Sequence, residues 1–237
     1  LECIDAIKNN STEKYPYLRH AIIDLAITNG MMETYFPPLA TQFRQDFPKS
    51  CLNFNRTNCT ELLNDFRRQK FSAISALQII TVNGKSVMDL PSNLEMKLLL
   101  KGNFFCIVHP NSKLYHYNSI SLKTMLKYDT LIYSPSQDTL NALINISEGA
   151  KKIIYVSEFS VFQNMIQNGV GSSFLSVSDG CTYQYSDSYK LIPFKEKINF
   201  YVILAYPQNI SLEPQIEEFI NYTEHFFRTH TQLAVKY

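Results

Sequence analysis

Two stretches of this chain each pass from an apolar strand through a polar turn and a helix to a further strand. The first, Phe104 to Ser136, reads FFCIVHPNSKLYHYNSISLKTMLKYDTLIYSPS, and the second, Tyr155 to Ser178, reads YVSEFSVFQNMIQNGVGSSFLSVS. Strands that alternate with helices at such spacings are typical of parallel β-α-β units. The sequence therefore predicts an α/β fold.

Other elements are predicted from apolar spacing and turn residues. A helix from Glu33 to Phe47 carries Pro37 and Pro38 in its first turn, where a missing N–H costs least. Asn58 and Glu61 predict a capped helix start, and a loop is expected from Pro91 to Lys101. Further strands are predicted at Leu18–Ile27, Leu52–Phe54, Phe71–Ile80, Phe104–Val108, Ser172–Val177 and Ile198–Tyr206, and further helices at Leu122–Lys127, 137–146, Val161–Asn168 and Ser211–Phe227.

The helix Val161–Asn168 has the clearest signals at both ends. Ser160 and Gln163 have the spacing of a capping box, and Gly169 supplies the left-handed residue that stops a helix. Its apolar face is expected to contain Val161, Phe162, Met165 and Ile166.

Composition excludes several classes of protein. The formal net charge of +1 argues against a broad nucleic-acid surface, which needs clustered Lys and Arg. The dense basic run Arg67-Arg68-Gln69-Lys70 is more simply a helix end, where cations meet the helix dipole favourably. No apolar run approaches the roughly 18–20 residues that span a bilayer, so no membrane partner is expected.

The cysteines indicate a cytoplasmic protein. There are five, Cys3, Cys51, Cys59, Cys106 and Cys181, scattered and without a CxxC pair. An odd, unpaired set fits a reducing compartment better than a disulfide scaffold.

In order and spacing, the stretches Phe104–Ser136 and Tyr155–Ser178 resemble the effector-binding domain of LysR-type transcriptional regulators. The resemblance implies a type 2 periplasmic-binding-protein-like fold: two Rossmann-like subdomains joined by two crossover strands. The first would contain residues 18–103 and 198–237, and the second residues 104–197. Residues 1–17 would be the end of a linker helix and a linker. DNA binding would belong to an N-terminal winged helix-turn-helix outside this chain.

Three predicted strand-to-helix turns carry polar groups that suit a ligand. In open parallel sheets, ligands bind beyond the carboxyl ends of strands, where helix N-termini point. The resembled family holds its effector at the matching turns. The proposed effector-binding residues are Thr28, Asn29, Gly30 and Met31 in the first turn, Ser134, Pro135, Ser136 and Gln137 in the second, and Ser157, Glu158 and Phe159 in the third.

Two interpretations of these turns stay open, because Ser, Thr and Asn at helix starts are also the usual N-caps. Capping and ligand contact are compatible, and three such turns together favour a site. With no Arg or Lys in the turns, a monocarboxylate or a polar neutral metabolite is expected. Met31, Met32 and Phe159 would contact a nonpolar part of it.

No catalytic, metal-binding or cofactor-binding constellation is visible. The Gly169-Val170-Gly171 run follows a helix and does not open one, the five histidines lack metal spacing, and no Gly-x-Ser-x-Gly motif occurs. His109-Pro110 is most simply a turn that ends a strand. The chain is therefore not expected to be an enzyme or to need a cofactor.

The leading hypothesis is the ligand-sensing domain of a LysR-type transcriptional regulator, forming a homodimer or homotetramer. A small molecule would bind in the cleft between the subdomains and shift a conformational equilibrium. The alternative is an extracytoplasmic solute-binding protein of a transporter on the same fold. An enzyme with dispersed residues ranks third. Thiol-based sensing is a minority hypothesis that needs a reactive cysteine.

Overall fold

The computed structural model describes residues 11–28, 35–68, 74–134, 137–148, 151–179, 189–208 and 211–230, with only the backbone given for 137–139. The described residues divide into two compact units. The first comprises those up to Leu77, from Leu90 to Leu99 and from Val202 to His230, and the second those from Gln78 to Asp89 and from Leu100 to Tyr201.

Strands and helices alternate along most of the chain. A 3-10 helix, Pro16–His20, precedes the first strand. The strands are β1 (Ile22–Thr28), β2 (Cys51–Thr57), β3 (Ile74–Val82), β4 (Lys85–Ser86), β5 (Leu94–Val108), β6 (Asp129–Tyr133), β7 (Lys152–Val156), β8 (Ser173–Ser178), β9 (Lys190–Pro193) and β10 (Ile198–Pro207). The helices are α1 (Phe36–Asp46), α2 (Cys59–Arg67), α3 (Leu122–Met125), α4 (Gln137–Asn145), α5 (Phe159–Gln167) and α6 (Pro214–Thr229).

The first unit contains a sheet with the strand order β2-β1-β3-β10-β5. Strand β1 is parallel to both its neighbours, and Leu25 lies opposite Phe54 on one side and Ile74 on the other. Helices α1 and α6 meet through aromatic side chains: Phe43 lies 5.7 Å from Phe219 and 5.7 Å from Tyr222, measured between ring centroids. These rings are buried and form the core of this unit.

In the second unit, β5 pairs antiparallel with β8 and with β9. Strands β6 and β7 form a parallel pair, and Thr130 of β6 makes a parallel bridge to Ser172, just before β8. Helix α5 packs over this region. The core is a cluster of buried apolar side chains: Ile107, Leu131, Val156, Phe162, Ile166, Leu175 and Leu191.

Several sequence predictions are confirmed. Helix α1 carries Pro37 and Pro38 at its start. The Asn58 side chain accepts a hydrogen bond from the Glu61 N–H at 2.7 Å, which caps α2. The face predicted to be buried in α6, with Ile216, Phe219, Ile220, Phe226 and Phe227, is buried. The predicted α/β class is therefore correct.

The prediction of a loop from Pro91 to Lys101 is wrong, because β5 already begins at Leu94. Glu95, Lys97 and Lys101 interrupt the apolar pattern that a buried strand would show. Glu95 and Lys101 are exposed and Lys97 is half-buried, so these charged residues remain solvated in an extended strand.

The prediction of a strand from Leu18 is also wrong, since β1 begins at Ile22 and Leu18 lies in the 3-10 helix. Pro16 stands in the first turn of that helix. The Tyr17 and Leu18 N–H groups donate to Oε2 of Glu218 in α6, at 2.7 and 3.2 Å. This carboxylate satisfies the Tyr17 N–H at the helix start and shares the Leu18 N–H with the Tyr15 carbonyl, which accepts it at 3.2 Å.

The predicted start of α5 needs correction. The helix begins at Phe159, its N-cap is Glu158, and no side chain caps it, so the Ser160–Gln163 capping box is wrong. Val161 is 47% exposed, so it does not belong to the apolar face. Phe162 and Ile166, four residues apart, point inward together, and Val161 lies about 100° around the helix from Phe162.

Candidate functional site

Strands β6 and β7 bring two of the predicted turns together. They run parallel, with Ile132 opposite Tyr155 and Tyr133 opposite Val156. The next residues along the two strands are Ser134 and Ser157. Because neighbouring strands lie about 4.8 Å apart, these two serines leave the carboxyl edge of the strands side by side.

Helix α5 starts directly beyond Ser157. Glu158 has extended backbone angles, φ −97° and ψ 125°, and its side chain makes no capping bond. The first hydrogen bond of the helix runs from the Phe162 N–H to the Glu158 carbonyl at 2.9 Å. The positive end of the helix dipole therefore lies beside Ser157, where it favours a negative or strongly polar group. Ser157 and Glu158 are both exposed and Ser134 is half-buried.

Three aromatic side chains fix α5 on the end of β6. Tyr133, the last residue of β6, lies 5.4 Å from Phe159 in an edge-to-face arrangement and 6.0 Å from Phe162. The Phe159 and Phe162 rings stack at 6.3 Å. Tyr133 and Phe159 remain half-exposed and border the polar turns. Tyr133 was missed at the sequence level; its position directly before Ser134 is the signal that could have identified it.

The far end of α5 is fixed by Gly169. Its φ of +70° is a left-handed conformation. Its N–H donates to Ile166 and the next N–H, of Val170, donates to Met165, both at 3.0 Å, which is the Schellman pattern. A Cβ at Gly169 would lie 2.9 Å from Nδ1 of His109. The predicted helix stop is confirmed, and both its backbone angle and its surroundings require glycine.

The other predicted site residues lie on other elements or outside the described residues. Thr28 ends β1 in the first unit and is buried, 5% exposed, opposite Thr57 of β2. The backbone of Gln137 begins α4. The remaining predicted residues, Asn29, Gly30, Met31, Pro135 and Ser136, lie outside the described residues. The structure thus groups Ser134 with Ser157, Glu158 and Phe159.

Cys106 does not have the properties of a reactive thiol. It lies fully buried in β5, and burial raises its pKa to about 12 even though Ser172 contributes a hydrogen bond that lowers it. Since the thiolate is the reactive form, Cys106 is inert near neutral pH. Cys181, the other cysteine considered for sensing, lies outside the described residues.

Metal-binding clusters and membrane-spanning helices are both absent from the described ranges. No group of three or more His, Cys, Asp or Glu side chains there is placed to hold a metal ion. In the same residues, no helix is both long enough and apolar enough to cross a membrane.

The arrangement of polar strand ends, a helix N-terminus and bordering aromatic side chains is that of a small-molecule-binding α/β domain. The family model described as LysR substrate binding domain matches residues 19–228. The chain belongs to this family, and its fold is the periplasmic-binding-protein-like fold of LysR substrate-binding domains. The family is regulatory and is not an enzyme family. A search of curated protein sequences gives no significant match.

Solved structures show the same fold. The effector-binding domain of QuiR in complex with shikimate is 19% identical, with a TM-score of 0.62 over 89% of this chain and 99% of that one. The CcmR regulatory domain of Synechocystis PCC6803 in complex with 2-PG is 12% identical, with a TM-score of 0.66 and the same coverage of both chains. The reduced OxyR regulatory domain of Pseudomonas aeruginosa is 15% identical, with a TM-score of 0.60 over 88% and 99%.

Proposed function

We propose that this domain senses a small polar metabolite through the turns that follow β6 and β7, and passes the change to a DNA-binding domain outside this chain. Membership of the LysR family supports the regulatory role over that of a transporter's solute-binding protein. Similar folds in QuiR and CcmR bind shikimate and 2-PG. The observation that carries the proposal is the register that places Ser134 beside Ser157.

The chemistry of these turns restricts the effector. Two serine hydroxyls donate and accept hydrogen bonds, and the start of α5 favours a negative group. Among the proposed contact residues no cationic side chain occurs, and Glu158 adds a carboxylate. A ligand with one carboxylate, or with several hydroxyls, fits this set better than a dianion. The half-exposed Phe159 ring would contact an apolar part of the ligand.

The proposed signal is a population shift. An effector that binds one conformation of the domain more tightly than another shifts the equilibrium by that difference in affinity. In the full regulator we expect a homodimer or homotetramer, located in the cytoplasm, whose DNA-binding domains are repositioned by this shift. Thr28, Asn29, Gly30, Met31, Pro135, Ser136 and Gln137 remain proposed effector contacts.

A thermal-shift screen tests the proposal. Shikimate and a panel of small monocarboxylates would be added to the 237-residue chain, and a compound present at about 100 times its Kd should stabilise the domain by about 2.7 kcal/mol. Ser157→Phe and Ser134→Phe should each abolish the shift, because a phenyl ring fills the space beside the strand ends. Ser119→Phe is the matched control: Ser119 is an exposed serine of the second unit, on the loop before α3.

Without ligand, each variant must have the same melting temperature as the parent chain. This control separates a loss of binding from a loss of folding. An undiminished response in both Ser157→Phe and Ser134→Phe would remove these turns from the effector site. A loss that occurs equally in Ser119→Phe would show that the effect is not local.

A further inference from the structure

A polar cleft lies along the outer face of α6 in the first unit. Its volume is about 550 Å³, and small-molecule sites in proteins commonly measure roughly 300–1,000 Å³. Lys14 and Tyr17 stand on one wall, and Asn221, His225 and Arg228 of α6 stand on the other. This cleft, called the α6 cleft below, shares no residue with the turns that follow β6 and β7.

Two carboxylates of the α6 cleft lie toward β10. Successive residues of a helix are 100° apart around its axis, so Glu217 and Glu224, seven residues apart, lie on nearly the same side of α6. Burial raises the pKa of Tyr206 on β10, and nearby negative charges raise it further. Glu217 and Glu224 are among those charges, which places both on the β10 side of α6.

The third carboxylate, that of Glu218, is already occupied. Glu218 lies 100° around α6 from Glu217, on the side of the 3-10 helix. Its Oε2 accepts hydrogen bonds from the Tyr17 and Leu18 N–H groups, at 2.7 and 3.2 Å. This acid therefore holds the wall of the cleft in place.

The cationic groups of the α6 cleft converge on one imidazole. His225 lies on the Glu218 side, about two turns further along α6. Nη2 of Arg228 is 3.2 Å from Nδ1 of His225, and since a guanidinium can only donate, Nδ1 accepts and the imidazole is neutral. Burial lowers the pKa of His225, and the charges of Lys14, Arg228 and His230 lower it further.

Lys14 and Arg228 are available to a ligand. Lys14 ends a helical turn at residues 11–14, and its ammonium lies 5.2 Å from the centroid of the Tyr15 ring. In the part of the chain that the structure describes, neither Lys14 nor Arg228 forms an ion pair. The simpler interpretation, a cation placed at a helix C-terminus, accounts for Arg228, but not for Lys14, which approaches the same imidazole from another segment.

We propose that Lys14, His225 and Arg228 bind the dianionic group of a small metabolite, such as a phosphate ester, in the α6 cleft. A dianion neutralises the charges that now repel one another around His225. Asn221 and the Tyr17 hydroxyl supply hydrogen-bonding groups for the rest of the ligand. The turns after β6 and β7 contain no Lys or Arg, so the two sites suit ligands of different charge.

Binding at the α6 cleft should be coupled to a proton. An anion beside an imidazole favours the charged form and so raises its pKa. By reciprocity, the anion binds more tightly as the pH falls through the pKa of His225. The charged groups that face His225 are Lys14 from the helical turn and Arg228 and His230 from α6, with Glu218 and Glu224 on the same cleft wall.

A nuclear magnetic resonance titration of His225 in the 237-residue chain tests the proposal, with sulfate as the probe because its double charge does not change near neutral pH. The resonance is assigned from its loss in His225→Asn. Saturating sulfate should raise the pKa of His225 by about one unit relative to chloride at equal ionic strength. Acetate, a monoanion, should cause a smaller shift.

Two variants and two controls locate the effect. Lys14→Gln and Arg228→Gln should each reduce the sulfate-induced shift by at least half, because each removes one of the proposed cations. Arg19→Gln is the matched control: Arg19 is exposed on the neighbouring 3-10 helix, and its Nε donates to the Thr12 carbonyl at 3.0 Å. His116, an exposed histidine of the second unit, reports any general effect of sulfate.

The proposal is supported by a sulfate shift that is present at His225, absent at His116, retained in Arg19→Gln and reduced in both cleft variants. It is overturned if sulfate acts no differently from chloride, if His116 shifts equally, if acetate matches sulfate, or if the double variant Lys14→Gln/Arg228→Gln keeps the full shift. Both substituted side chains are exposed; amide spectra check each fold, and where one variant is altered the other decides. Ser134 and Ser157 have no part in this titration, so its failure would leave the proposed sensing site to be decided by the thermal-shift screen alone.

Discussion

Replacing Tyr222 by Phe should destabilise the first unit through the loss of one buried hydrogen bond. The Tyr222 hydroxyl donates to Oδ2 of Asp46 at 2.8 Å, and the amide of Gln42 donates to Oδ1 at 2.9 Å. Asp46 is 6% exposed, so water does not readily replace the lost donor. The ring of Tyr222 keeps its contacts with Phe43 and Phe47 after the substitution, which isolates the hydroxyl.

The expected loss is about 1.5–3 kcal/mol of unfolding free energy, the range for a hydrogen bond to a charged group. The donor is present throughout the accessible pH range, because burial and then the charge of Asp46 raise the pKa of Tyr222 well above its usual value. The loss should therefore be the same at pH values on either side of neutrality.

Urea unfolding followed by far-ultraviolet circular dichroism measures the difference, read from the midpoint at constant slope. Tyr155→Phe is the matched control: its hydroxyl donates to Oδ1 of Asn141 at 2.9 Å, but the pair is exposed, and we expect a loss within about 0.5 kcal/mol. Equal losses in Tyr222→Phe and Tyr155→Phe would refute the reasoning that burial sets the cost.

Three further predictions concern backbone strain, pH and thiol reactivity. Gly169→Ala should lower the melting temperature more than Gly84→Ala. Both glycines have positive φ, but of the two only Gly169 has an atom, Nδ1 of His109, within 3 Å of the new Cβ. Equal decreases would mean that the contact between the new Cβ and His109 is harmless. Burial raises the pKa of Glu218, so the folded chain holds this proton more tightly than the unfolded chain. The resulting contribution to the free energy of unfolding is fully present below the ordinary pKa of about 4.3. It is lost as the pH rises through the raised value. Relative to Glu218→Gln, the parent should gain stability on acidification, and parallel pH profiles would argue against this. Iodoacetamide added to the native chain should label the exposed Cys51 before the buried Cys106, as followed by mass spectrometry. The reverse order would contradict the inertness of Cys106.

Local patterns predicted the elements whose burial follows a simple period. The inward face of α6 repeats apolar residues at helical spacing over about three turns, and its burial is as expected. The left-handed stop at Gly169 depends on one residue and its immediate neighbours. In both cases short-range stereochemistry and long-range packing favour the same structure.

The errors arose where a distant part of the chain decides the local structure. Two N–H groups of the 3-10 helix, those of Tyr17 and Leu18, donate to Glu218, about 200 residues away in sequence, and no nearby residue indicates that partner. The start of α5 was misplaced because Ser160 is an intrinsically good N-cap, whereas Phe159 gains contacts with Tyr133 of another strand. For the candidate site, residue types indicated the turns, but only the β6–β7 register showed that Ser134 and Ser157 are neighbours.

That register constrains how the second unit tolerates changes in length. Side chains alternate between the two faces of a strand, so removing one residue from β6 or β7 would reverse the facing of every residue beyond the deletion. Ser134 or Ser157 would then turn away from its neighbour even though both residues remained in the chain. Point substitutions within these strands should be far better tolerated than single-residue insertions or deletions. A deep indel scan would reveal this as two narrow, intolerant windows, one ending at Tyr133 and the other at Val156.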